Sequence, residues 1–312
     1  MGQPHLGTEE DLSTALGGVI VAAVTPRRQD GREVDVAAAL EMVDFLGAAG
    51  VNGIALLGST GEFLNLTLDE RVRLVYMAAK RSRVPLLVGV GHSSLYGAVE
   101  LGREAAGSGA AGLLLMPPYF FRYNQADIRE FYLRFAAETS RQAKIFLYNI
   151  PVFTNELECA TALDLLSGGQ FAGIKDSSGS MEYFRGLNAA RAQTPFTLLV
   201  GNDAIFSEAR RAGADGVVSG VSCAVPELLL GLDRAVCAGE DAKATQLDAR
   251  LQEFIGWIDR LPVPIGIKVA TELRGLKVGP PAVPLSPGSQ RVVEEFKEWF
   301  QGWLPVVQKE AQ

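Results

Sequence analysis

Eight short apolar runs recur along this chain, and their period leaves few folds open to it. They are VIVAAVT (19–25), GIALLG (53–58), PLLVGVG (85–91), AGLLLMPP (111–118), KIFLYNIP (144–151), FAGIKD (171–176), FTLLVGND (196–203) and DGVVSG (215–220), each running into Gly, Pro, Ser or Asn. Runs this short and this continuous fit strands buried on both faces, as in a parallel sheet, rather than surface helices. The first seven close at Thr25, Gly58, Gly91, Pro117, Tyr148, Lys175 and Gly201, at intervals of 33, 33, 26, 31, 27 and 26 residues. Each interval has the length of one strand–helix unit. The last, from Gly201 to Ser219, is 18 residues and makes the tightest unit. Eight such units predict an α/β fold, a (β/α)8 TIM barrel, over a doubly wound sheet.

Amphipathic segments fill the intervals. Residues 36–49 carry Ala37, Leu40, Val43 and Leu46 at near-helical spacing, and 68–82, 94–107, 125–141, 180–193 and 203–213 read similarly. Asp127 and Asp203 are expected to cap the helices they open. From Pro226 the strand pattern stops. ELLLGLDRAVCAG, AKATQLDARLQEFIGWIDRL, IGIKVATELRGL and QRVVEEFKEWFQGWL read as helices, separated by Gly239, Pro262 and the Pro-rich KVGPPAVPLSPG. The expected organisation is a loose arm over 1–16, the barrel over 17–225, and a C-terminal helical extension over 226–312 packed on it.

Composition removes several classes of function. The chain has 312 residues and a net charge of −7 without a basic cluster, which sets nucleic acid aside as a partner. No run of 18 apolar residues occurs, so no membrane partner is expected, and the polar opening MGQPHLGTEEDLSTALGG lacks a signal core. Leu6 stands where a myristoylation motif needs Ser or Thr. Cys159, Cys223 and Cys237 are odd in number and form no C-x-x-C pair, which suits a reducing cytoplasm and argues against a disulfide framework or a zinc site. His5 and His92 are the only histidines, too few for the usual metal-dependent aldolase. The glycine-rich phosphate motifs and G-x-S-x-G are absent, which leaves nucleotide cofactors and Ser-His-Asp hydrolysis unsupported.

Barrel enzymes place their active sites at the C-terminal ends of the strands. Those ends carry Thr25, the loop GSTGE (58–62), His92, Tyr119, Tyr148, Asn149, Lys175, Asn202, Asp203 and Ser219. Lys175 is the outlier, one of eight lysines and the only one ending an apolar run. Most lysines are solvated surface residues. An amine turned into a barrel mouth loses solvent, which favours the neutral form of a lysine. A neutral amine attacks a ketone to give a Schiff base, and the protonated imine stabilises a carbanion at the next carbon. Aldol cleavage, condensation and β-elimination all need this. Tyr148, one strand away, is placed to carry protons, although a tyrosine at a strand end is as readily core with its hydroxyl satisfied. Gly58 and Gly61 surround Ser59 and Thr60, and closely spaced N–H groups and hydroxyls suit a carboxylate, while the plainer reading is a tight turn. His92 alone reads as a bystander. Lys268, in PIGIKVATEL, lies in a helical pattern and reads as structural.

The combination GSTGE, YNIP and GIKD, after an opening GVIVAAVTP, resembles the dihydrodipicolinate synthase/N-acetylneuraminate lyase family of class I pyruvate aldolases, over roughly residues 17–304. The resemblance implies a (β/α)8 barrel with C-terminal helices, usually in homotetramers. It implies a keto-acid substrate, and no cofactor beyond the covalent imine on Lys175. It gives Tyr148 the proton shuttle of the YN-x-P motif, and Ser59 and Thr60 both the holding of the pyruvyl carboxylate and the relay of protons, within the turn made by Gly58 and Gly61. Thr25 matches the end of the first strand. Val218 falls where a backbone faces the keto acid. Gly201, Asn202 and Asp203 match a segment that contacts hydroxyls in sugar-acid lyases. Two positions depart from dihydrodipicolinate synthases: Phe153 replaces an arginine that binds a carboxylate of the aldehyde, and Phe120 replaces a second relay tyrosine. A Phe pairs no carboxylate and passes no proton. Phe120, Phe121 and Phe153 are therefore expected to make the outer pocket more apolar.

The reading is a Schiff-base lyase, aldolase or dehydratase acting on pyruvate or a 2-keto acid such as a 2-keto-3-deoxy sugar acid. One alternative is the 4-hydroxy-tetrahydrodipicolinate (dihydrodipicolinate) synthase of lysine biosynthesis, with another group replacing the arginine. An alternative of another class is a non-catalytic keto-acid-binding regulator, against which the intact Lys175, Tyr148 and GSTGE argue.

Overall fold

The structure, a computed structural model, describes residues 16–139 and 143–312. Eight strands are present: β1 (Gly18–Ala22), β2 (Gly53–Leu56), β3 (Leu86–Gly89), β4 (Gly112–Leu115), β5 (Lys144–Asn149), β6 (Gly173–Asp176), β7 (Thr197–Val200) and β8 (Gly216–Ser219). Each pairs in parallel with the next, and β8 closes on β1. The strands are shorter than the apolar runs because the last residues of most runs leave the ladder to form loops at the mouth. Residues 1–15 of the expected arm lie outside the described residues. Leu16, assigned to that arm, is instead buried at the foot of the barrel beside Gly112.

The strands alternate with α1 (Val36–Ala48), α2 (Leu68–Arg81), α3 (Leu95–Gly107), α4 (Gln125–Thr139), α5 (Cys159–Ser167), α6 (Met181–Ala190), α7 (Phe206–Arg211) and α8 (Pro226–Ala238). The six helices expected in the intervals are all present, and residues 140 and 141 of the expected fourth lie outside the described ones. α5 had no counterpart in the sequence reading. It has nine residues and no side-chain cap at Glu158, so neither length nor cap announces it. The short interval before β8 is met by a 3₁₀ turn at Asp203–Ile205 leading into the six residues of α7. Both expected caps are displaced. Asn124 Oδ1 accepts from Asp127 N at 2.9 Å, so Asn124 caps α4 and Asp127 lies in its first turn. Asn202, not Asp203, accepts from the N–H of Ala204.

The boundary at residue 225 also shifts. α8 packs on α7 and β1 as the eighth helix of the ring, so the barrel continues to Ala238. The extension then comprises α9 (Asp241–Ile258), α10 (Ile265–Leu273) and α11 (Pro287–Glu310). Its buried Phe254, Phe296, Phe300 and Trp303 join Val19 of β1, Val217 of β8 and Leu228 of α8 in one hydrophobic cluster. Full burial of each such side chain is worth about 1.5–3 kcal/mol, so the extension is held to the barrel by a shared core. No helix among the described residues is long and apolar enough to cross a membrane.

Candidate active site

The β5–β6 register sets the site. Tyr148 pairs with Lys175, and Asn149 with Asp176, across the two strands. Side chains alternate along a strand, so one pair turns into the barrel and the next turns out. Lys175 and Tyr148 form the inner pair. Both are buried, and Lys175 Nζ stands 4.0 Å from the centre of the Tyr148 ring. Asn149 and Asp176 form the outer pair: Asn149 Nδ2 donates to Asp176 Oδ1 at 2.8 Å, and Asn149 Oδ1 accepts from Leu157 N. Burial pushes the Asp176 carboxyl above its ordinary range, against the bonds from Ser178 and Asn149. This outer network fixes the ends of both strands and, through them, the inner pair.

The GSTGE loop, which follows β2, completes the site from across the barrel mouth. Tyr148 Oη lies 3.4 Å from Ser59 Oγ, a long contact that must tighten by a few tenths of an ångström before a proton passes along it. The loop is bracketed by two left-handed non-glycine residues, Leu57 (φ 59°) and Glu62 (φ 53°). Such backbone persists only where its surroundings hold it. Two contacts do so. Thr25 Oγ1 donates to Gly61 O at 2.7 Å. Lys268 Nζ of α10 forms an ion pair with Glu62 Oε2 at 2.7 Å, with both side chains more than nine-tenths buried. Lys268 is thus structural, as its helical pattern implied, but it acts directly on the site loop. Thr25, expected to bind substrate, has its hydroxyl committed to positioning that loop. Replacing Lys268 by methionine leaves a buried carboxylate unpaired. The expected cost is about 3–5 kcal/mol of unfolding free energy in urea titration, part of which Glu62→Gln in the same chain restores. A loss below about 1 kcal/mol would mean that the pair is effectively solvated.

Gly201 matters for what it lacks. A Cβ there would fall 2.0 Å from Ser177 Oγ and 2.6 Å from Lys175 Cε. Those atoms belong to movable side chains, so Gly201→Ala is expected to fold while displacing the amine. Displacement on the ångström scale costs about 10²-fold in rate. The check is the rate of borohydride-trapped pyruvate adduct beside a thermal unfolding curve, and an unchanged rate would show that Lys175 has room to spare.

The remaining predicted residues divide. Asp203 lies beside Lys175, with Oδ1 buried and without a hydrogen-bond partner among the described residues, and Oδ2 accepting from Val221 N at 3.4 Å. Burial pushes this carboxyl up, opposed by bonds from Ser219, Val221 and Gly220 and by the charge of Lys175. Thr60 is buried and faces Gly220. Val218 is buried in the barrel wall. Asn202 is engaged as a cap. His92 holds Ser94 at the start of α3 and does not line the cavity, whereas Tyr119 does. Phe153 lines the cavity, but Phe120 does not: at φ 78° and 88% exposed, it points outward and meets Phe121 edge-on. The sequence reading missed the segment 282–286, taken as a separator, and Val263; both form a wall of the cavity. Val283 and Leu285, alternating in a Pro-rich stretch, were the only available signal. Among the described residues no three His, Cys, Asp or Glu side chains gather to hold a metal ion.

Comparison with known proteins agrees with this fold. The sequence profile described as the Dihydrodipicolinate synthetase family matches residues 15–301. The chain is 32% identical over 273 residues to a 4-hydroxy-tetrahydrodipicolinate synthase of Methanothrix thermoacetophila, covering 87% of this chain and 92% of the relative. It superposes on a dihydrodipicolinate synthase from Aquifex aeolicus with a TM-score of 0.85 and 27% identity, over 92% of this chain and 98% of the other. A prophage protein of the dihydrodipicolinic acid synthase family from E. coli K12, in complex with pyruvate, superposes with a TM-score of 0.84 and 28% identity, over the same shares. With a profile match over nearly its whole length, a barrel of the same construction and relatives that are lyases, this chain belongs to the dihydrodipicolinate synthetase family.

Proposed function

We propose that the protein is a class I lyase that binds pyruvate, or the pyruvyl end of a 2-keto acid, as an imine on Lys175. The observation that carries this reading is one line of contacts: Lys175 Nζ over the Tyr148 ring at 4.0 Å, Tyr148 Oη 3.4 Å from Ser59 Oγ, and Ser59 opening on the cavity. In this mechanism the neutral amine adds to the keto carbon, and hydroxide is expelled to give an iminium. The iminium draws electrons from the C3–H bond, whose proton passes to the hydroxide expelled in forming it and leaves as water, or from the C3–C4 bond of a longer substrate, and an enamine results. Tyr148 moves the proton to or from the oxygen at C4, with Ser59 as relay. Ser59, Thr60 and the backbone between them take the substrate carboxylate. Water hydrolyses the imine and frees the product. The protein supplies the imine itself, so no added cofactor is part of the reading.

Borohydride reduction in the presence of pyruvate tests it. A mass adduct on Lys175 is expected. Its absence, or its persistence in Lys175→Ala, overturns the assignment. An adduct without turnover of any keto acid would leave the regulator reading standing.

A second reading, 4-hydroxy-tetrahydrodipicolinate synthase, has one structural observation in its favour beside the names of the relatives. Arg122 Nη1 lies 3.4 Å from the carbonyl of Thr154, next to Phe153, and is a cation at the rim where the arginine of that enzyme is missing. Turnover of aspartate semialdehyde that falls in Arg122→Ala would support it. A homo-oligomer belongs to the same proposal, supported by the exposed Phe120, Phe121 and Val152, and sedimentation at the tetramer mass tests it. Cytoplasmic residence does too, supported by the three free cysteines.

A further inference from the structure

We infer that the partner of the pyruvyl unit is an uncharged apolar aldehyde, aromatic or branched, held between Phe153 and the wall contributed by the C-terminal extension. The inference rests on the Schiff-base reading and names the substrate class for the same site.

The cavity opening from Ser59 measures about 540 Å³, the size of pockets that take a whole small molecule. Lys175 and Tyr148 stand outside its lining and meet it through Ser59, 3.4 Å from Tyr148 Oη, so a pyruvyl unit on Lys175 leaves the cavity to its partner. Beyond Ser59 the barrel side is made by Phe63, Met116 and Ile150, with Phe153 at the lip. Across from them stand Val263, Val283 and Leu285. Leu285 is anchored by packing against Leu261, Ile265 and Val293, which fixes this wall. Phe153, Val263 and Val283 are 53%, 61% and 71% exposed, so three apolar side chains at the cavity stay wet until something apolar covers them.

Of the seven polar side chains lining the cavity, Ser59 belongs to the pyruvyl end, Asn65 and Tyr119 remain for a partner, and the other four are engaged within the protein. Glu62 is tied to Lys268. Thr154 Oγ1 donates to the carbonyls of Ile150 and Asn155. Ser286 Oγ accepts from Ser289 N at the start of α11. Among the described residues no Lys, Arg or His lines the cavity, and Arg122 approaches only as far as Thr154 O. A carboxylate on the aldehyde would be desolvated without a cation. A polyol tail would give up water for too few free partners. An aryl or alkyl body loses nothing polar and covers the wet side chains.

In the condensation direction, the enamine carbon derived from C3 of pyruvate attacks the aldehyde carbon. One C–C bond forms, the carbonyl pair becomes an alkoxide, and the alkoxide takes a proton from Tyr148. Water then releases a 4-hydroxy-2-keto acid carrying the apolar group on C4. Cleavage is the same sequence reversed, with no oxidant or further reactant.

The test is a panel of benzaldehyde, isobutyraldehyde, glyceraldehyde and aspartate semialdehyde with pyruvate and the full chain, the adduct of pyruvate on Lys175 being trapped in parallel. The expected result is a kcat/KM for benzaldehyde or isobutyraldehyde about tenfold or more above the two polar aldehydes, the order of discrimination an apolar pocket gives. Phe153→Arg is expected to lower the apolar values by about the same factor and raise that for aspartate semialdehyde. Preference for a polar aldehyde, or no turnover of any, while the Lys175 adduct forms, overturns this inference alone. Failure of the adduct removes the Schiff-base reading and the inference with it.

Discussion

Lys175→Ala is expected to abolish turnover, with a fall of about 10⁴-fold or more, the scale seen when the nucleophile of a covalent mechanism is removed. The same variant should give no borohydride-trapped adduct with pyruvate. Its stability should hold. The side chain is buried, and among the described residues its amine makes no hydrogen bond; it stands over the face of Tyr148 and near the Asp203 carboxyl. Removing it gives up some packing of the alkyl stem over Gly201 and a cation–ring contact worth about 0.5–2 kcal/mol, and it also relieves the desolvation of a buried amine. Lys175→Arg sharpens the result, because it keeps a cation and removes the nucleophile. If either variant retains activity within about tenfold of the parent, an assigned loss of 10⁴-fold is untenable and chemistry at Lys175 is excluded.

How much of this could be read from residues alone follows from which parts are local. The barrel was legible because its signal repeats: one βα unit gives a weak pattern, and eight in succession leave one closed architecture. Lys175 and Tyr148 were legible because the repeat identifies strand ends, and strand ends are where a parallel barrel gathers its polar groups. The pairing of Glu62 with Lys268 was not, since 206 residues separate them and neither has a local signature. The cavity wall escaped for the same reason: Val263, Val283 and Leu285 read as punctuation between helices, and only the return of α10 and α11 over the barrel mouth gives them a role. Phe120 is placed by its own backbone: the left-handed conformation there turns its ring out of this chain's cavity and leaves it 88% exposed. α5 was missed because nine residues are too few for a periodic pattern to stand out.

Tyr148→Phe is the more discriminating prediction about mechanism, because it removes one oxygen and leaves the ring. The ring face under Lys175 Nζ persists, so the amine should stay in place and the pyruvate adduct should still form. What is lost is the hydroxyl 3.4 Å from Ser59 Oγ, the group proposed above to deliver the proton at C4. Turnover is expected to fall by about 10²–10⁴-fold while trapping of the imine is retained. Ser59→Ala should act on the same step to a smaller extent. If the two hydroxyls form one relay, the double variant Tyr148→Phe with Ser59→Ala will be no slower than Tyr148→Phe alone, because a broken relay cannot be broken twice. Additive losses would mean that Ser59 acts separately, through the substrate carboxylate, and that the proton reaches Tyr148 from elsewhere. An unchanged rate in Tyr148→Phe would reduce the tyrosine to a platform for the lysine and leave the cavity without an acid at the reacting carbon.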